Sequence, residues 1–252
     1  MSIVKNTNRI GNLTSSEIYK VLTKAKDKVN FGAPALTYID EKNMERKLGR
    51  SLSTDMESRP TSWGKTLEGR VFELLGAEYR LCSQETITHK DYEFWCGSPD
   101  AEKFNLDGTK TVVDIKCPYT LKSFCELVEV SMFAIKNNHK AGNAYYWQLV
   151  SNAILIGADS AELIVYCPYQ SELEAIKDYV SNMHESVQNS VAWINWATDD
   201  TLPYLLDNGY YRNLNVCSFS IPEEDKEELK EAVLRASRLL ISRDIKREEN
   251  GI

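Results

Sequence analysis

The stretch of sequence that most constrains the fold is an apolar, β-branched run that carries two charges. In residues 112–117, Asp114 and Lys116 alternate with valine, isoleucine and cysteine. Side chains along a β-strand point alternately to its two faces, so Asp114 and Lys116 share one face and Val113, Ile115 and Cys117 share the other. The run therefore predicts a strand that turns one face to a hydrophobic core and presents a carboxylate beside an ammonium on the other.

A second carboxylate, Asp100, precedes this strand directly after a proline. Two strand-like runs, residues 93–98 and 110–117, flank a polar stretch with the turn signal Asp107-Gly108, which predicts a hairpin or two adjacent strands. Asp100, at the end of the neighbouring strand, then completes a two-carboxylate site for a hard cation.

Asp100, Asp114 and Lys116 together form the pattern PD…(D/E)xK. Magnesium in proteins favours one or two carboxylates, retained waters and substrate phosphate oxygens, and these residues meet that demand. Lys116 is expected to hold a metal-bound water in line and to favour its hydroxide form. The pattern alone occurs by chance in roughly one chain in ten, so a turn followed by a solvent-facing polar edge is the other interpretation.

Two further polar residues lie where such a site would use them. Glu68 shares a predicted helix face with Phe72 and Leu75, so its carboxylate either joins the site or reaches out to solvent. Gln148 lies among aromatic and aliphatic residues, where a core-facing amide either bonds the backbone or contributes to the site.

The rest of the pattern describes helices around a central sheet. A short helix is expected to begin in Thr14-Ser15-Ser16-Glu17. Residues 33–62 look irregular, with Pro34 and Pro60 as breakers and a helix over 38–48 as an alternative. Further helices are predicted over residues 65–79, 145–156 and 222–246, and a strand over residues 161–167. This order predicts an α/β fold with a central mixed β-sheet flanked by helices, in one domain over residues 1–252 with a C-terminal helical extension at about 222–246.

Charge and cysteine content restrict the kinds of partner. The net charge of −7 argues against a protein that coats nucleic acid by bulk electrostatics, but it allows a local basic groove. Each of two basic clusters is either such a groove or a solvated helix face. Their members are Lys20, Lys24, Lys26 and Lys28, and Arg235, Arg238, Arg243, Lys246 and Arg247.

The thiols and imidazoles do not predict a soft-metal site. The six cysteines form no CxxC pair, and His89, His139 and His184 are isolated from one another, so we expect buried free thiols. No signal peptide or membrane-spanning apolar run is visible, which predicts a cytoplasmic protein without membrane contact, in the host cytoplasm if a phage encodes it.

Ordered motifs from about residue 9 to 169 resemble one known family. Arg9-Ile10-Gly11 with Thr14-Ser15-Ser16-Glu17, Trp63-Gly64-Lys65 with Glu68, Gly97-Ser98-Pro99-Asp100, Asp114-Ile115-Lys116-Cys117-Pro118, Gln148, and Tyr166-Cys167-Pro168 occur in that order. Together they look like the phage lambda exonuclease family, within the PD-(D/E)xK nuclease superfamily and its restriction-endonuclease-like core. Beyond residue 170 no motif matches.

The resemblance implies a 5′-to-3′ exonuclease that digests linear double-stranded DNA from phosphorylated ends to mononucleotides. It implies two magnesium ions, with manganese as a substitute, a homotrimeric ring around the DNA end, and a single-strand annealing protein as recombination partner. Carried over by position, the metal ligands are Glu68, Asp100, Asp114 and the Ile115 carbonyl, the water-positioning base is Lys116, and the 5′-phosphate pocket is Arg9, Ser16, Ser98 and Gln148.

The sequence departs from the family at two points and leaves two other functions open. Asp114 replaces the family's usual glutamate, and the segment between Asp100 and Asp114 is a few residues longer. A site- or structure-specific endonuclease on the same fold, and a non-catalytic DNA-end-binding protein, are the alternative functions.

Overall fold

The computed structural model describes residues 9–52, 58–82, 86–129, 136–137 and 140–249. His139 and the side chains of Arg243, Lys246 and Arg247 lie outside this description. The strands are β1 (Leu13–Thr14), β2 (Tyr79–Leu81), β3 (Ile87–Thr88), β4 (Trp95–Gly97), β5 (Ala101–Phe104), β6 (Lys110–Lys116), β7 (Ser160–Tyr166) and β8 (Leu214–Ser220). The α-helices are α1 (Ala33–Leu48), α2 (Arg59–Leu74), α3 (Leu121–Glu129), α4 (Lys140–Ile156), α5 (Leu173–Ser181), α6 (Glu185–Val191), α7 (Trp193–Trp196) and α8 (Glu223–Glu249).

A five-stranded mixed sheet in the order β2-β5-β6-β7-β8 forms the centre of this structure. β6 pairs antiparallel with β5 and parallel with β7, and β7 pairs antiparallel with β8. The chain connects the parallel strands β6 and β7 through α3 and α4, since a parallel pair needs a crossover. The sheet and its flanking helices confirm the predicted α/β class.

The central strand β6 is buried on both faces. Val113 and Ile115 pack with residues of α2 and α5 in one core cluster, and Val112 packs with residues of α4 and α8 in the other. The predicted alternation is thus correct, because Asp114 and Lys116 lie on the opposite face from Val113 and Ile115.

The strand that pairs with β6 in the hairpin is not the predicted one. Residues 93–98 were expected to pair with β6, but the partner is β5, which begins immediately after Asp100. β5 reads Ala-Glu-Lys-Phe, and its two charged residues gave it the appearance of a polar loop. The turn itself is at Asp107-Gly108 as predicted, with Gly108 at a φ of 85°.

β4, within residues 93–98, belongs to a separate three-stranded sheet of order β1-β4-β3. β1 lies parallel to β4, with Leu13 paired to Trp95 and Thr14 to Cys96. A 3-10 helix, Ser15–Leu22, continues directly from β1, so the predicted short helix is present in a tighter form. This pairing carries the N-terminal segment to the strand that leads into Asp100.

The two prolines predicted to be breakers begin helices instead. Pro34 and Pro60 lie at the first turns of α1 and α2. In the first turn of a helix the backbone N–H has no intrahelical acceptor, so proline loses no hydrogen bond there. Its φ is also already helical. Residues 33–48 are therefore a helix, and α2 begins and ends about five residues earlier than predicted, which leaves Tyr79 to begin β2.

The C-terminal third completes the sheet and one of its cores. β8 pairs with β7 along seven residues, from Ser160 opposite Ser220 to Tyr166 opposite Leu214. α8 covers residues 223–249, and the side chains predicted to face inward are fully buried: Leu229, Val233, Ala236 and Leu240. β8 and the helices α5–α7 were missing from the sequence prediction.

Two further expectations concern the cysteines and membrane-spanning helices. All six cysteines are free, and Cys96, Cys117 and Cys167 are buried. Among the described helices, none is both long and apolar enough to cross a membrane.

Candidate active site

The predicted charged pair lies at the C-terminal end of β6. Asp114 is fully buried, and its Oδ2 lies 2.7 Å from Lys116 Nζ. The Lys116 ammonium also lies 4.9 Å from the centre of the Tyr145 ring. Burial by itself would lower the pKa of Lys116, but the charges of Asp114 and Asp100 outweigh it and raise that pKa above its ordinary value.

Asp100 faces this pair from the start of β5. Ala101, the next residue, pairs with Val113, and Ile115 N donates a 2.7 Å hydrogen bond to Asp100 Oδ2. Burial, and then the negative charge of Asp114, raise the pKa of Asp100 to about 8, although Lys116 acts in the other direction. Two carboxylates so close together favour a cation between them.

Glu68 approaches the same group from α2. Burial raises the pKa of Glu68, the Lys116 charge opposes this rise, and the Asp114 charge adds to it. The carboxylate therefore lies within electrostatic reach of both β6 residues. Of the two alternatives for Glu68, the structure favours a place beside the site over an outward-pointing side chain.

Gln148 contacts the site from α4. Its Nε2 donates a 2.8 Å hydrogen bond to Asp114 Oδ1, so the amide bonds a site carboxylate and not the backbone. One turn along α4, Ser151 Oγ lies 2.7 Å from Ser15 Oγ and accepts a 2.8 Å hydrogen bond from the Trp95 indole. α4 thus connects the carboxylates on β6 with the N-terminal segment on β1.

The other predicted phosphate-pocket residues form two separate contacts. Arg9 Nη2 donates to Ser16 Oγ at 3.4 Å, so these two residues come together. Ser98 Oγ lies 3.3 Å from Thr86 Oγ1, two residues before Asp100. The structure therefore pairs Arg9 with Ser16 and Gln148 with Asp114, whereas Ser98 contacts Thr86.

Sequence reasoning did not single out Glu45, a residue of α1 that contacts the turn after Arg9. Glu45 on α1 is buried, and its Oε2 accepts hydrogen bonds of 3.0 Å from both Gly11 N and Lys42 Nζ. Gly11 has a φ of 69°, and a Cβ there would lie 2.2 Å from Arg46 Cγ, so only glycine fits this close approach to α1. The available signal was Arg9-Ile10-Gly11 itself, since its glycine marks a backbone that must turn sharply.

α1 also holds the segment at a second point. The Tyr38 hydroxyl accepts a 2.9 Å hydrogen bond from Thr14 N, and Thr14 Oγ1 lies 3.4 Å from Ser16 Oγ. Gly97 allows β4 to pack closely here, because a Cβ at Gly97 would lie 2.1 Å from Ser15 Oγ. Arg9 and Ser16 are therefore presented by a segment with fixed geometry.

The donor atoms at this site fit a hard divalent cation. Among the described residues, the buried Asp114 Oδ2 contacts the Lys116 ammonium, so the two buried carboxylates Asp100 and Asp114 share this single cation and would attract a second one. In the same part of the chain no three carboxylate, thiol or imidazole groups converge into a closed metal cage. An ion held by Asp100, Asp114 and the Ile115 carbonyl would complete its shell with water and phosphate, as magnesium commonly does.

Comparison with solved structures shows the fold. The chain resembles LHK-Exo in complex with dAMP, at a TM-score of 0.61 and 16% identity over 97% of this chain and 96% of that chain. It also resembles an alkaline exonuclease (LHK-Exo) from Laribacter hongkongensis, at a TM-score of 0.59 and 15% identity over 98% of both chains. A phage-related exonuclease from Haemophilus somnus 129PT matches at a TM-score of 0.59 and 16% identity, over 94% of this chain and 96% of that one. No significant match exists among curated proteins.

A comparison with protein-family models identifies the family. Residues 6–159 match the model described as a YqaJ-like viral recombinase domain. The matched range contains every residue from Arg9 to Gln148 that the sequence predicted for the site, and it confirms the resemblance to the phage lambda exonuclease family. The chain belongs to the family of YqaJ-like viral recombinase domains.

Proposed function

We propose that this protein is a magnesium-dependent DNA exonuclease. It digests linear double-stranded DNA 5′ to 3′ from phosphorylated ends to mononucleotides and leaves a 3′ single strand for recombination. The observation that carries the proposal is the convergence of Asp100, Asp114 and Lys116, with Glu68 and Gln148 at their side. The similar structures described as exonucleases, one of them in complex with dAMP, support the same activity.

The residues of this chain have distinct parts in the proposed reaction. Bound magnesium supplies Lewis-acid chemistry and lowers the pKa of a coordinated water. Asp100, Asp114 and the Ile115 carbonyl hold the ion, and Glu68 adds a carboxylate at the edge. Gln148 donates to Asp114 Oδ1 and so fixes the orientation of this carboxylate, whose Oδ2 contacts Lys116. The Lys116 ammonium orients the attacking water and offsets charge on the phosphoryl group.

The DNA end is held by the segment before β1 in this proposal. An arginine offers a charged fork to a terminal phosphate, and hydroxyl and amide groups satisfy its remaining oxygens. Arg9 with Ser16 supplies the fork and one hydroxyl, and Ser98 and Gln148 supply the others. A site that binds a terminal phosphate acts at ends, which favours an exonuclease over an endonuclease.

The proposed setting follows the family resemblance. We place the protein, as one nuclease domain, in a homotrimeric ring that surrounds the DNA end in the host cytoplasm. A single-strand annealing protein receives the 3′ strand. Manganese replaces magnesium in the same oxygen-rich site.

A nuclease assay on four substrates tests the activity. With magnesium, linear duplex with 5′-phosphate ends should release mononucleotides fastest, duplex with 5′-hydroxyl ends more slowly, and closed circles not at all. Lys116→Ala should lower the rate by about 10²-fold or more, because its ammonium acts at the reacting phosphate. Lys122→Ala, an exposed lysine on α3, is the matched control and should retain the rate.

Two outcomes would contradict the proposal in different ways. Cutting of closed circles would establish an endonuclease on the same fold. An intact protein that binds DNA ends, shows no metal binding by calorimetry and releases no nucleotide would be a non-catalytic end-binding protein.

A further inference from the structure

A groove on the surface is lined by two arginines of the C-terminal basic cluster, and the loop that carries Lys24, Lys26 and Lys28 contributes Asn30 and Phe31 to it. It has a volume of about 440 Å³ and lies between the loop of residues 24–31, α1 and α8. Its floor is apolar and its rim is cationic. The lining residues are Asn30, Phe31, Leu36, Arg235, Arg238 and Leu239.

The loop that forms one wall is held in place by short contacts. Lys24 and Phe31 form a β-bridge, and Ala25 N donates a 2.8 Å hydrogen bond to Asn30 O. Arg235 of α8 donates a 2.6 Å hydrogen bond to Val29 O, and its guanidinium lies 4.7 Å from the centre of the Phe31 ring. The groove is therefore preformed, with a planar cation lying over an aromatic ring.

Cations without a described counter-ion lie on the loop and on α8. Lys26, Lys28 and Arg238 are exposed, and their side chains make no ion pair or hydrogen bond with any other residue that the structure describes. Lys24, in contrast, pairs with Glu228 at 3.0 Å. In a chain with a net charge of −7, such a local excess of positive charge favours a polyanionic partner.

We propose that this groove binds single-stranded DNA. Proteins that bind single strands combine a cationic groove for the phosphates with flat side chains on which bases stack. Here Lys28 and Arg238 meet the phosphates, and the Phe31 ring with the Arg235 guanidinium meets a base. Duplex DNA fits less well because its bases are stacked inside and do not reach an apolar floor.

The groove would be a second DNA-binding site on the proposed exonuclease. The strand left by digestion is the natural occupant, but binding of a single strand does not require catalysis. The test therefore uses the Lys116→Ala chain without divalent metal, so that its result does not depend on nuclease activity.

Fluorescence anisotropy measures the binding of a short oligothymidylate. The oligonucleotide carries its label at the 5′ end, which keeps this end out of the terminal-phosphate pocket. In the Lys116→Ala background, Lys28→Glu with Arg238→Glu should weaken binding about tenfold or more at low salt. The slope of log affinity against log salt concentration should shrink by about 1.4, since each lost phosphate contact contributes about 0.7 on a single strand. Circular dichroism melting checks that the variant is folded.

A control pair with the same charge change is available elsewhere on the surface. Lys90→Glu with Arg212→Glu alters two exposed cations outside the groove and should change affinity less than twofold. If the two pairs of substitutions weaken binding equally, net charge alone explains the effect, and the proposal is overturned.

A second comparison tests the apolar floor. An abasic oligonucleotide of the same length should bind several-fold more weakly than oligothymidylate to the Lys116→Ala chain, and this difference should disappear in the groove variant. Equal binding of the abasic strand, or tighter groove-dependent binding of a duplex, would overturn the assignment to single-stranded DNA.

Discussion

At the scale of single residues, Asp100 illustrates how neighbours decide the ionisation of a carboxyl group. The Ile115 amide favours its charged form, yet burial and the Asp114 charge prevail and raise its pKa to about 8. A bound divalent cation would reverse the balance, because it attracts both carboxylates. Asp100 is therefore a sensitive reporter of whether a cation occupies the site.

Without metal, the stability of the protein should fall as pH rises from about 5 to about 8. In this range folded Asp100 retains a proton that the unfolded chain has lost, so each rise in pH favours the unfolded state. Thermal unfolding in a chelating buffer measures the trend. Asp100→Asn should flatten it, because an amide does not titrate.

Asp107, in the turn of the same hairpin, is the matched control. Hydrogen bonds from Thr109 lower the pKa of Asp107, so it is ionised throughout this range. Asp107→Asn should leave the slope unchanged. Calorimetry adds a second readout: near pH 7, magnesium should displace about one proton per chain. A wild-type slope equal to that of Asp100→Asn would contradict the assignment.

The departure of Asp114 from the family's usual glutamate also has a local explanation in this chain. Asp114 is fully buried, with Gln148 at 2.8 Å on one oxygen and Lys116 at 2.7 Å on the other. The shorter side chain already reaches both partners. An added methylene would have to displace close-packed neighbours.

At the scale of elements, α1 supports the N-terminal segment. Burial by itself would raise the pKa of Glu45, but the Gly11 amide and Lys42 prevail and lower it, so the carboxylate stays charged. Glu45 also accepts hydrogen bonds from Leu52 N and Ser51 Oγ through its other oxygen. One side chain thus connects the turn after Arg9 to the loop after α1.

Glu45→Gln should reduce the preference for phosphorylated ends several-fold. The glutamine amide has one acceptor oxygen, so it loses the contacts that the other carboxylate oxygen makes. Lys42 is also left without a charged partner, which costs about 3 kcal/mol of stability. The ratio of rates on 5′-phosphate and 5′-hydroxyl duplexes is the measurement, taken well below the melting temperature.

Glu41→Gln makes the same charge change at an exposed position on α1 and should retain the ratio. Arg9→Ala should abolish the preference for phosphorylated ends, so that the ratio of rates falls to about one. This value sets the lower limit of the comparison. An equal loss of rate on both kinds of end in Glu45→Gln would mean that Glu45 only stabilises the fold.

At the scale of the whole molecule, a single copy of the chain exposes two large aromatic side chains. Trp196 is 85% exposed and Tyr210 is 92% exposed. Large exposed aromatic rings are characteristic of contact surfaces. The resemblance to the family suggests a ring of three copies, and we propose these two aromatic side chains as contacts within it.

Light scattering after gel filtration should therefore give three times the 28.7 kDa mass of one chain. Burial of apolar surface between copies is expected to keep the ring intact at low concentration. Cross-linking that stops at three copies provides a check. A mass of one chain at all concentrations would exclude the ring.

Local patterns in the sequence predicted some elements well and others not at all. β6, α4 and α8 were predicted because their apolar residues repeat with the period of a strand or a helix. β5 is four residues long with two charged residues, and β8 is an edge strand of the sheet. Neither therefore shows a distinctive pattern of apolar residues. Pro34 and Pro60 misled because a proline interrupts a helix in the middle but suits its first turn.

The sequence alone determined that Asp114 and Lys116 share one face of a buried strand, because alternation depends only on the positions of neighbouring residues. Contacts between distant residues needed the tertiary structure. The β5–β6 pairing brought Asp100 to the Ile115 amide, α4 brought Gln148 to Asp114, and α1 brought Glu45 to Gly11. These contacts depend on how sheet and helices pack together, which no short-range pattern encodes.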